Sequence, residues 1–193
     1  MTREDIVKLI PDESRKWIEQ STALAFNEYL TKLPEEGRLV EIGTGGGDST
    51  LIIALVKPKW IIYTIDVFDF WGIDTGWEAT ESGKGIVNRV DLPMVRARWE
   101  GFGANNIIQI AQDAKKVPWE LPVNAIFIDG NHSYESCKKD FEKYFPFLID
   151  GGFIFFHDYW RDDFGVKQFV GELCQKDWML LYSKYMAVIA KEP

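Results

Sequence analysis

Leu39-Val40-Glu41-Ile42-Gly43-Thr44-Gly45-Gly46-Gly47-Asp48-Ser49-Thr50 is the segment on which the reading of the fold turns. It sets four glycines within five residues, after an apolar β-prone run and before an apolar run of helical character. Glycine gives up the most backbone freedom on folding, so such a cluster is costly in a regular element. It belongs in a turn where something approaches the backbone. At the start of a helix, free N–H groups favour an anion.

Working outward, short β runs alternate with helical patterns. After "RLVEIG" (38–43) come "WIIYTID" (60–66), "NNIIQIA" (105–111), "NAIFID" (124–129) and "GGFIFFHD" (151–158). Between them lie "DSTLIIALV" (48–56), residues 134–148 and "FGVKQFVGELCQ" (164–175). In 134–148, Cys137, Phe141, Tyr144, Phe145 and Leu148 share a face opposite Lys138, Lys139, Glu142 and Lys143. Strands that are apolar throughout, alternating with helices, predict a parallel sheet covered on both faces. "WMLLYS" and "KYMAVIAKEP" read as two closing strands, an antiparallel pair at the edge. Residues 2–33 read as helical, and 1–36 as an N-terminal helical segment of one domain spanning 1–193. Residues 67–92 show no period, and a structureless stretch of that length in a compact domain is usually functional.

Composition narrows the function. The net charge of −8 and the lack of a basic run argue against a nucleic-acid partner. No apolar run reaches membrane-spanning length, and the N-terminus has no signal-peptide pattern. Two distant cysteines, Cys137 and Cys174, with only two histidines do not make a zinc framework. They read as free thiols of a cytoplasmic protein.

In an open α/β sheet, ligands sit at the carboxyl ends of the strands. The dinucleotide fingerprint G-x-G-x-x-G fails here, because its third position is Asp48. Walker A fails for want of a following Lys-Ser or Lys-Thr. The pattern that fits is acid-x-G-x-G-x-G: Glu41, Gly43, Gly45, Gly47. Asp66, at the tip of the second strand, is placed to accept hydrogen bonds from both hydroxyls of a ribose.

On the glycine turn and the stretch "IFIDGNHSYESCKKDFEKYFPFLIDGGFIFFHDYW", the chain resembles the class I S-adenosylmethionine (AdoMet) methyltransferases. Within them it is similar to the small-molecule O-methyltransferases of the catechol and macrolide-sugar or antibiotic-modifying types. The resemblance runs from about residue 37 to the end. It implies a Rossmann-like α/β three-layer sandwich, with a mostly parallel seven-stranded sheet and an antiparallel edge strand. It implies that the turn (Glu41, Gly43, Thr44, Gly45, Gly47) wraps the methionine end of AdoMet and that Ser49 holds the cofactor's carboxylate. By the same resemblance, Asp113 accepts from the adenine amino group.

The second half carries the implied chemistry. Asp129 ends the fourth strand, and His157 and Asp158 end the fifth, so all three converge beside the methyl donor. The resemblance implies a divalent cation on Asp129, His157 and Asp158. His157 departs from the acidic pair usual there, and an imidazole leans toward manganese or iron rather than magnesium. His132 falls where relatives have a catalytic lysine or histidine, and an ordinary imidazole can take a hydroxyl proton at neutral pH. The implied partner is a small-molecule hydroxyl acceptor. Phe68, Phe70, Trp71 and Trp77, with Asp69, Asp74 and Glu78, suit covering such an acceptor. Their alternative use is to complete the core or a homodimer face. Two rivals stay open: a non-catalytic AdoMet-binding protein and a nicotinamide-dependent oxidoreductase, for which Tyr134 and Lys138 offer only the spacing. A base-amino methyltransferase would carry Asn/Asp-Pro-Pro-aromatic where this chain reads "IDGNHSY".

Overall fold

A computed structural model describes residues 20–67, 92–176, 178–183 and 185–190, together with residues 4, 5, 8 and 18. Helix α1 (Gln20–Leu30) leads into β1 (Gly37–Ile42), α2 (Asp48–Val56) and β2 (Trp60–Asp66). Then follow α3 (Leu92–Gly101), β3 (Ile107–Ala111), β4 (Val123–Ile128) and α4 (Tyr134–Tyr144). β5 (Leu148–Phe156), α5 (Val166–Cys174), β6 (Met179–Ser183) and β7 (Ala187–Ala190) complete the order. The expected helix over 2–33 is described only as α1 and isolated residues before it. Apart from Val67 and the start of α3, the expected acceptor-covering stretch 67–92 lies outside the described residues, as do its aromatics and acids.

Among the described residues, seven strands form one sheet in the order β3-β2-β1-β4-β5-β7-β6. β1 pairs in parallel with β2 on one side and β4 on the other, Leu39 lying between Ile62 and Ala125. β7 runs antiparallel to both β5 and β6. The reversed strand is therefore one in from the edge, with β7 between β5 and β6. Strand order reverses between β1 and β4, which opens a crevice at their carboxyl ends.

Both faces of the sheet are covered, which is why the strands read as apolar throughout. On one face α1 and α2 pack Phe26, Leu30, Leu51 and Ile53 against Phe127 and Phe155. Phe26 meets Phe127 edge-on, with ring centroids 5.0 Å apart. On the other face α4 and α5 pack Cys137, Phe141, Tyr144 and Phe169 against Ile126, Ile154 and Phe156. The helix expected over 134–148 ends at Tyr144 and passes into a single 3-10 turn, Phe145–Phe147. Pro146 has no N–H to continue the α-helical ladder. Both cysteines are free thiols, and Cys137 is buried. Among the described residues no helix is long and apolar enough to cross a membrane.

One polar knot lies inside this packing. Glu41 on β1 is fully buried. Ser49 Oγ donates to its Oε1, while Thr50 Oγ1 and Thr64 Oγ1 donate to its Oε2. Thr44 Oγ1 lies 2.6 Å from Thr64 Oγ1 and extends the chain of hydroxyls. Burial pushes the Glu41 carboxyl up to about 7, against the pull of the three hydroxyls. The folded protein thus binds a proton here more tightly than the unfolded chain does, and stability falls as pH rises between the unfolded and folded values. We expect the unfolding free energy of the wild type, relative to Glu41→Gln, to drop by roughly 2–3 kcal/mol between pH 4.5 and 7.5. Urea unfolding of both proteins across that range measures it, and a constant difference would contradict the assignment.

Candidate active site

The crevice between the tips of β1 and β4 opens into a cleft of about 310 Å³, within the size range of small-ligand sites. Its walls come from the segments that follow the strands. Gly43 and Gly45 line it after β1, Asp66 and Val67 after β2, and Gln112 to Lys115 after β3. Asp129 to His132 follow β4, and Ser136 and Asp140 reach in from α4.

Two glycines of the turn are dictated by close approach. A side chain on Gly43 would place its Cβ 2.2 Å from the Asp129 carbonyl oxygen, and φ there is 93°. Gly47, at φ 76°, would drive a Cβ into Trp99 and Val95, and Trp99 Nε1 donates to its carbonyl at 2.9 Å. Asp48 is turned away from the cleft, buried and paired with Arg98 of α3. Space is open around the Cβ position of Gly45, which lines the cleft.

Asp66 shapes the turn from the neighbouring strand. Its Oδ2 accepts from the N–H groups of Thr44 and Gly45 at 2.9 and 3.0 Å. Asp66 thus ties the glycine turn to the end of β2 and stands in the cleft wall. Asp113 accepts from Lys115 N–H at 3.0 Å and caps the short 3-10 turn Ala114–Lys116.

Beyond β4 and β5 four side chains meet. His132 Nε2 lies 3.3 Å from Asp129 Oδ1 and 3.0 Å from Asp158 Oδ2. His157 Nδ1 lies 3.1 Å from Asp129 Oδ1 and 3.5 Å from Asp158 Oδ2. All four donor atoms fall within 4.8 Å of one another. Metal–nitrogen and metal–oxygen bonds of about 2.0–2.2 Å put adjacent ligands about 3–3.5 Å apart, so the set fits one small divalent ion. Two imidazoles beside two carboxylates favour a first-row transition ion over magnesium.

The cluster is strongly polarised. Burial alone would raise both carboxyls, but the imidazoles of His157 and His132 hold Asp129 and Asp158 below the usual carboxylate range. Burial would likewise lower His132, yet hydrogen bonds to Asp129 and Asp158 push it up to about 9. With these partners the His132 ring holds its proton more tightly than an ordinary imidazole does. Its ring stacks on Phe164, centroids 4.6 Å apart. Asp158 adopts the left-handed conformation at φ 54°, a departure that costs about 1 kcal/mol and is typical of functional positions.

The structure therefore brings together Gly43, Gly45, Asp66, Asp113, Asp129 and His132 around one cleft, with His157 and Asp158 joining Asp129 and His132. Glu41, Thr44, Gly47 and Ser49 do not line it. The Ser49 hydroxyl is spent on Glu41. Lys115, Ser136 and Asp140 line the cleft and were not anticipated. Asp140 had a readable signal: it falls on the apolar stripe of α4, three residues after Cys137 and four before Tyr144.

Comparison with known proteins places the chain in a family and a fold. The methyltransferase-domain family profile matches residues 40–159, more than half of the chain. Among solved structures, the O-methyltransferase NovP superposes with a TM-score of 0.66 at 17% identity, over 89% of this chain and 79% of NovP. The Podospora anserina methyltransferase PaMTH1, solved bound to S-adenosylhomocysteine (SAH), matches with a TM-score of 0.65 at 15% identity, over 99% of this chain and 86% of that one. An rRNA methylase from Streptococcus thermophilus matches with a TM-score of 0.61 at 16% identity, over 90% and 96%. Those three share the fold, and the matched family runs from β1 to just past β5, through the turn, the cleft and the four-residue cluster: the chain belongs to the methyltransferase-domain family.

Proposed function

We propose that the chain moves the methyl group of AdoMet to a hydroxyl of a small molecule, with a divalent cation held by Asp129, His157 and Asp158. The observation that carries this reading is the meeting of Asp129, His132, His157 and Asp158 at a cleft also lined by the glycine turn and Asp66. A net charge of −8 favours a small acceptor over RNA.

The residues present suit AdoMet. Asp66 brings a carboxylate to the cleft wall at the tip of β2, where ribose hydroxyls would donate to it, and the open space at Gly45 admits a ligand against the backbone. They also suit a divalent ion, by the number, chemistry and spacing of the donors. When bound, a cation would lower the pKa of the acceptor hydroxyl and offset the pull of Asp129 and Asp158 on His132.

Methyl transfer from a sulfonium is an in-line displacement. The acceptor oxygen forms the new bond to carbon as the carbon–sulfur bond breaks, and the electron pair stays on sulfur. The donor is already activated, so the chain's task is orientation and removal of one proton. Asp66 and the turn hold the donor, and Asp129 and Asp158 orient the groups at the reacting end. His132, stacked on Phe164, takes the hydroxyl proton when its ring is neutral, the state that a cation drawing on both carboxylates would favour.

His132→Ala should leave SAH affinity unchanged and lower turnover on a hydroxylated acceptor by about 10²–10⁴-fold. A full rate in this variant would remove the base assignment. Asp158→Ala should abolish any rise in rate on adding Mn²⁺ or Mg²⁺. A wild-type rate indifferent to chelator would leave His157 and Asp158 as orienting groups without a cation.

A further inference from the structure

We infer that Asp140, not Asp113, reads the amino group of the cofactor's adenine, and so makes the cleft selective for an aminopurine over an oxopurine. The inference rests on the AdoMet reading above. Asp140 is 2% exposed and lines the cleft. Its Oδ1 is buried with no hydrogen-bond partner. A buried carboxylate oxygen without a donor is unfavourable, and a ligand N–H removes that cost. Burial pushes its carboxyl up to about 6, despite the lowering effect of Lys115, as expected of a group whose solvation is unmet.

The position of Asp140 is fixed toward the β3 side of the crevice. Tyr144 Oη donates to the Ala114 carbonyl at 2.8 Å, and Lys143 Nζ to the Lys115 carbonyl at 2.7 Å. Lys115 Nζ in turn donates to Ser136 Oγ at 2.9 Å. Three bonds thus strap α4 to the segment after β3 and hold Asp140 beside it. With ribose at Asp66 and the reacting end at Asp129 and His132, the nucleobase falls against Val67 and Gln112 to Lys115. The acceptor there with the most to gain from an exocyclic amine is the buried one left unmet. Asp113 Oδ1 accepts from Lys115 N–H where it caps the 3-10 turn, whereas Asp140 Oδ1 is buried with no donor and gains the most from a ligand N–H. An oxopurine would instead set its carbonyl oxygen against this carboxylate, two acceptors facing each other.

Calorimetric titration with SAH and with S-inosylhomocysteine, which carries an oxo group for the amine and a hydrogen on the adjacent N1, tests this. The wild type should bind SAH roughly 10–100-fold more tightly than the inosine analogue. Asp140→Asn, whose amide can donate to the oxo group, should bring the ratio to about one or below. Asp113→Asn should keep the wild-type ratio. Equal wild-type affinity for the two ligands would overturn the inference while leaving the AdoMet reading intact, as would a ratio that collapses in Asp113→Asn. Should Asp140→Asn fail to fold, the wild-type ratio and the Asp113→Asn ratio still decide. A wild type that binds neither ligand would overturn the AdoMet reading and this inference with it.

Discussion

Everything at the site depends on how closely the end of β1 approaches the end of β4. The backbone ladder continues past the strands: Gly43 N–H donates to the Ile65 carbonyl, Asp129 N–H to Ile42, and His157 N–H to Ile128. These bonds draw the first residue after each of three adjacent strands into one row. A Cβ on Gly43 would collide with the Asp129 carbonyl, so the row exists only because that residue is glycine. Once it exists, Asp129 and His157 lie side by side without any further device, and the turn that starts at Gly43 opens on the same crevice.

The row also explains the charge distribution. Parallel strands end together, so their terminal polar side chains share a small volume with little water. Two carboxylates there would repel each other. His132 and His157 relieve this by sitting between Asp129 and Asp158, each within 3.5 Å of both. The left-handed turn at Asp158 is what brings its carboxylate back over the strand ends, and Asp tolerates that conformation better than most residues. An arrangement with strained backbone and tightly coupled charges contributes little to stability for its cost. It is the pattern found where a site is organised for chemistry.

Much of this was legible in the chain. The strands announced themselves because both faces of the sheet are buried, and Glu41-x-Gly43-x-Gly45-x-Gly47 marked the turn because its backbone takes positive φ at all three glycines. Asp66, Asp129, His157 and Asp158 were readable as strand-end residues, since a parallel topology sends all such ends to one edge. What sequence could not supply was the direction of side chains. Glu41 and Ser49 belong to the motif, yet they bond each other within the core. The protonation of His132 depends on distances to two residues far along the chain or across a turn, and no local pattern encodes those. Asp140 was hidden for a different reason: a single acid on an apolar helix stripe is visible, but what it faces depends on how α4 docks.

The most direct test of the account is calorimetric titration of the wild-type protein and Asp66→Ala with SAH, with and without added Mn²⁺. Binding at micromolar or lower dissociation constant in the wild type, lost in Asp66→Ala, is the predicted result. No binding to the wild type under either condition would mean that the crevice between β1 and β4 serves another ligand, and the site assigned here would be wrong.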